Sequence, residues 1–183
     1  MSLKETESVH CLEESKCEMV FKKLNNRVTK LYCLCIKSAI PLFFAANVVL
    51  QKEEPCIHIM YKILSNQLSD LLIRFIKPEI ISSAKLLTDI DFDDIANQKD
   101  NEDLSIGAEA REFIEHNSIL VVKVCYDNVR DYYAMACDYM LQKFPYGDEV
   151  LLNASVADIN ERQSKSFKSV RFFVKRYPFL LTP

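Results

Sequence analysis

Residues 118–125 read SILVVKVC, a run of β-branched side chains that taken alone would pass for a buried strand. Whether they pair in a sheet or continue a helix decides the fold class. Downstream, Cys125, Val129, Tyr132, Ala136 and Met140 recur at intervals of three or four, the period of one helical face. Upstream, Ala110, Phe113 and Ile114 keep the same rhythm, so the whole stretch from Ala108 to Phe144 is expected to be helical.

The flanking segments agree. Val20, Leu24, Val28, Leu31, Cys35 and Ala39 form another apolar stripe, expected to end in a kink or break at Pro41 before Leu42 to Leu50 resumes as a second helix. A further helix is expected from Pro55, with Ile57, Met60, Leu64, Leu68, Leu71 and Phe75 buried and a stop at Pro78. Pro145 should end the long helix before a short one after Gly147, and a cationic helix should occupy about 162–176. Two glycines in 183 residues fit this reading, because hairpins, doubly wound sheets and phosphate loops need glycine where φ is positive or a ligand nears the backbone. The expected fold class is all-α, an irregular multi-helix arrangement, with 1–16 a flexible polar tail and 17–183 a single domain carrying an acidic loop at 85–105.

A hydrophobic share of 49%, a charged share of 27% and a net charge of −3 describe a globular protein with no global pull toward nucleic acid or membrane. The purely apolar runs fall below the roughly 20 residues that span a bilayer. Seven cysteines, an odd number, without an apolar segment in the first twenty residues favour a reducing compartment, the nucleus or cytoplasm, and no secretion.

Chemistry-bearing residues gather in three places. LQKEEPCIHIMYKIL (50–64) brings Glu53, Glu54, Cys56 and His58 together. On a helix Cys56 and His58 point about 200° apart, and Glu54 with His58 shares a face but lacks the second histidine of a zinc helix; a helix start is the simpler reading. Cys33 and Cys35 are C-x-C, and His10, Cys11 and Cys17 complete no four-ligand zinc set. The segment 85–105 holds seven acids against two lysines, and Asp89, Asp91 and Asp93 have the 1, 3, 5 spacing of a calcium loop. Asp94 stands where that loop needs glycine and Asp100 where it needs glutamate, so a solvated loop is expected rather than a calcium site or a two-metal nuclease. Finally, Lys165, Lys168, Arg171, Lys175 and Arg176 alternate with aromatics, which suits either a nucleic-acid backbone or an amphipathic helix with a wet cationic face. No nucleotide or acyl-transfer motif occurs, and no catalytic residue, metal or cofactor is expected.

Three stretches carry a resemblance: AIPLFFAANVVLQKEEPCIHIMYKILSNQLSDLLIRFIKPEII (39–81), DIDFDDIANQKDNEDLSIG (89–107) and VRDYYAMACDYMLQKFPYGDEVLLNASVADINERQ (129–163). Together they resemble the helical insertion of hAT-superfamily transposases and of host proteins derived from them. In that family the insertion interrupts an RNase H-like fold whose three acids hold divalent ions, and none of those acids has a counterpart in this chain. Nor does the chain offer the tryptophan that such insertions place at transposon-end DNA. The resemblance implies a catalytically inactive helical protein acting through a protein partner, with DNA association through the last helix as the alternative and a metal-dependent nuclease or transposase fragment as the second. No membrane is among the expected partners, and no oligomeric state is fixed.

Overall fold

The computed structural model describes residues 16, 18–23, 25–117, 122–159 and 167–181. Among them there is no strand, and the regular elements are helices: α1 (Arg27–Leu50), α2 (Ile57–Phe75), α3 (Pro78–Ser83), α4 (Ala108–His116), α5 (Val122–Lys143), α6 (Glu149–Ala154) and α7 (Phe167–Arg176), with short 3-10 turns between several of them. The fold is all-α. Residues 122–125 of the ambiguous run are the first turn of α5, while 118–121 lie outside the described residues.

The described residues divide into two compact units, one drawn from Met1–Ala39 and Ile106–Val129, the other from Ile40–Ser105 and Arg130–Pro183. In the first, Leu31, Cys35 and Ala39 of α1 are buried with Ile106, Ala110, Cys125 and Val129. Gly107 joins this core to α4 with φ of 95°, Ser38 Oγ donates to the Ile106 carbonyl at 3.1 Å, and Lys37 bonds both carboxylate oxygens of Glu109 at 2.8 and 2.9 Å.

The second unit is built round α2, whose Leu64, Leu68, Leu71, Leu72 and Phe75 are all at most 2% exposed. Each such side chain contributes about 1.5–3 kcal/mol on leaving water. Tyr133 stacks on Phe75 at 5.8 Å between ring centres, and its hydroxyl donates to the Ser105 carbonyl at 2.8 Å. Because Tyr133 and Cys137 are buried, the inward stripe of α5 runs 129, 133, 137, 140; the expected Tyr132 is 40% exposed.

The structure corrects four boundaries. The stretch from Ala108 to Phe144 is not helical throughout: α4 ends at His116, where Asn117 is an extended cap. The stripe beginning at Met19 is not one helix: the chain breaks at Asn25 and Asn26, and the Asn26 side chain caps the new helix by accepting from Val28 N at 2.8 Å. No break falls at Pro41, which lies inside the continuous α1. Proline removes the N–H that would have reached the Lys37 carbonyl, yet the helix runs on through it. Helix α2 begins at Ile57, two residues after Pro55, with Cys56 as an N-cap that makes no side-chain bond.

By length and apolar composition α1 is long enough to cross a membrane, and little of its apolar surface is buried. This differs from the expectation drawn from uninterrupted apolar runs, because scattered Asn47 and Ser38 interrupt a run without making the helix polar.

Candidate functional site

The cluster at 50–64 does not converge. Glu54 precedes α2 and so shares no helical face with His58, and Cys56 is half-buried at the cap. Among the described residues no group of three or more His, Cys, Asp or Glu is placed to hold a metal ion. Cys33, Cys35, Cys56, Cys125 and Cys137 are free thiols. Cys35 hydrogen-bonds Cys125 inside the first unit; that bond and burial hold its thiol well above the ordinary range. His10, Cys11 and Cys17 lie outside the described residues.

The acids of 85–105 are engaged in local backbone geometry. Asp91 Oδ1 accepts from the amides of Asp93 and Asp94, both at 3.2 Å, and Asp94 Oδ1 caps a 3-10 turn through Ala96 N at 2.9 Å. Ile90, Phe92 and Leu104 are buried at most 9% exposed, so the apolar residues interleaved with the acids anchor the segment. The segment also closes the end of α2. Lys99 N donates to Phe75 O at 2.7 Å and Ser105 N to Arg74 O at 2.9 Å, while Lys99 Nζ takes Ile73 O at 2.6 Å. Three carbonyls that the last turn would leave unpaired are thereby satisfied.

Helix α7 presents Lys168, Arg171, Lys175 and Arg176 as exposed residues with no acid on the helix. At about 100° per residue, Lys168, Arg171 and Lys175 fall within about 60° of one another. Arg176 turns aside, its guanidinium 5.7 Å from the Phe172 ring centre and 6.0 Å from that of Tyr177. Val170, Phe173, Val174 and Tyr177 are half-buried on the other side. Lys165 lies outside the described residues.

The feature that sequence periodicity missed is an apolar groove of about 480 Å³ in the second unit, formed by the C-terminal halves of α1 and α5 with α2 beneath. Ile40, Phe43, Phe44, Tyr139 and Met140 are among its walls, and none of its lining residues is charged. Ile40 is 58%, Phe44 67% and Tyr139 60% exposed, and Met135, one turn before Tyr139, is 72% exposed. Gln67 also lines the groove at only 6% exposure, and its Nε2 is shut from water with no hydrogen-bond partner. A buried unpaired amide costs on the order of 1–3 kcal/mol. The helical stripes in the sequence showed which residues are apolar; they did not show which apolar faces lack a neighbour.

No protein-family model matches the chain, and neither does any curated protein or solved structure.

Proposed function

We propose that this chain is a non-catalytic helical binding protein, derived from the insertion region of an hAT-superfamily transposase, that acts by docking a protein partner on the apolar groove of its second unit. The observation that carries this reading is the exposure of Ile40, Phe44 and Tyr139 around one cavity. Contiguous apolar surface of this kind on a soluble protein marks an interaction site. The three stretches at 39–81, 89–107 and 129–163 support the descent, and the engagement of Asp91 and Asp94 in backbone capping supports the absence of a metal clamp.

Photo-crosslinking tests the reading. A benzophenone side chain at position 44 is expected to capture a discrete protein in cells, with the adduct lost on Tyr139→Ser and absent when the probe sits at the 81% exposed Ile95. Equal capture from both positions, or turnover of a transposon-end duplex by the purified chain with Mg²⁺ or Mn²⁺, overturns it. The second reading, duplex DNA association, is favoured by the cationic face of α7, which carries no acid.

A further inference from the structure

A second cavity of the same unit joins apolar walls to a single positive charge. It measures about 630 Å³ and is lined from α2, the 85–88 segment, the C-terminal end of α5 and α6. That volume falls in the range of small-molecule pockets. No residue lines both this cavity and the Phe44 groove, so its occupant is a question separate from partner docking. Leu68, 1% exposed, and the half-buried Leu141 are walls; Leu86 and Leu152 line it as well, at 54% and 41% exposure. An apolar occupant would take the last two out of water.

The polar groups narrow the chemistry. Tyr61 and Ser65, one turn apart on α2, and Thr88 bring hydroxyls to the lining, and Lys85 brings an ammonium. Among the described residues none of these four side chains has a hydrogen-bond or ion-pair partner. Lys85 is the one charged residue of the lining. Asp148, next to the lining Gly147, is committed elsewhere, its Oδ1 accepting from Val150 N and Leu151 N at 2.7 and 3.1 Å. One ammonium balances one negative charge. A carboxylate fits, because its two oxygens accept bonds from an ammonium and from hydroxyls together. A phosphate monoester carries close to two charges at neutral pH and would leave one unmatched.

We infer that this cavity binds a small amphipathic carboxylate, its head group on Lys85 and Thr88 and its apolar chain between Leu68, Leu141 and Leu152.

The test titrates the full chain at neutral pH with monomeric decanoate, decanol, decyl phosphate and acetate, followed by calorimetry. Decanoate is expected to bind saturably, one per chain and about tenfold tighter than decanol, the worth of one charge-assisted hydrogen bond. Acetate, which has the head group without the chain, is expected to give no saturable heat. Lys85→Met should remove the discrimination: decanoate affinity falls about tenfold to that of decanol, while decanol affinity and the Tm of the free protein stay as they were. The Tm is the control for folding, since Lys85 is exposed. The inference is overturned if decanol or acetate binds as well as decanoate, if decyl phosphate binds more tightly, or if Lys85→Met leaves decanoate affinity unchanged. It is equally overturned if Phe44→Ser abolishes decanoate binding, because the ligand then occupies the other groove. Crosslinking from position 44 does not depend on any of these results, so the docking function stands or falls separately.

Discussion

Gly107 and Ser38 approach so closely that a Cβ added at position 107 would lie 2.5 Å from the Ser38 Cβ and 2.9 Å from its Oγ. Two constraints meet at this glycine, since its φ of 95° is also one that L side chains rarely adopt. Gly107→Ala is therefore expected to destabilise the protein by about 2–4 kcal/mol, the sum of backbone strain and overpacking. In a Ser38→Gly background, which bears its own cost in a lost Oγ bond to Ile106 and a glycine inside α1, Gly107→Ala should cost only the backbone part. Urea unfolding of the single and double variants separates the two, and no cost of Gly107→Ala in that background would show that strain contributes nothing.

Lys99 closes the C-terminal end of α2 twice, with its amide on Phe75 and its ammonium on Ile73. Only the second bond is lost in Lys99→Met, so the expected cost is about 1–2 kcal/mol. Lys85→Met, at an exposed position of the same segment, should cost close to nothing. Calorimetric titration with Ca²⁺ is expected to give no saturable heat, because among the described residues no three of these acids are placed to hold one ion. Saturable heat that Asp91→Asn abolishes would refute this account of the acids.

Cys137 is fully buried, and burial pushes its thiol from the ordinary 9.0 up to about 12. Between those values the folded chain keeps a proton that the unfolded chain has released, so unfolding sheds a proton and stability falls as pH rises. The stabilisation is complete below about pH 9 and declines toward pH 12 by up to about 1.4 kcal/mol per unit. Tyr146, raised chiefly by burial and then by the charges of Cys137 and Tyr61, adds to the same alkaline loss. Cys137→Ala should lower stability at pH 7 through its cavity yet flatten the decline above pH 9. Chemical unfolding at pH 7.5, 9 and 10.5 measures the slope; an unchanged slope in the variant would exclude the thiol as its source.

Fold class was legible because helical period survives local ambiguity: Cys125, Val129 and Met140 identified α5 as a helix although its first turn reads as a strand. The buried face was legible to within one residue, with Tyr133 rather than Tyr132 inside. Boundaries were harder. Asn26 restarts a helix through a side-chain bond that apolar spacing does not register, and α1 continues through Pro41 where a break was expected. The groove was not legible at all. Its defining facts are a missing neighbour over Phe44 and a missing partner for Gln67, and absent contacts leave no period in a sequence.

The cationic face of α7 gives the DNA reading a quantitative form. Neutralised phosphates release counterions, so log K falls against log salt with a slope of about −0.9 for each contact on B-DNA. Lys168, Arg171 and Lys175 share an exposed face, whereas the guanidinium of Arg176 lies over Phe172 and Tyr177. Association with a duplex is thus expected to follow a slope near −3, set by the first three. Replacing each of them with Gln should make the slope shallower by about one unit, uniformly across DNA sequences, while Arg176→Gln should change it less. Fluorescence anisotropy between 50 and 200 mM salt, about the range over which such contacts weaken markedly, measures all four variants. A slope that stays the same when the three cations are removed together would place the contact elsewhere on the chain and end the case for α7 as a nucleic-acid surface.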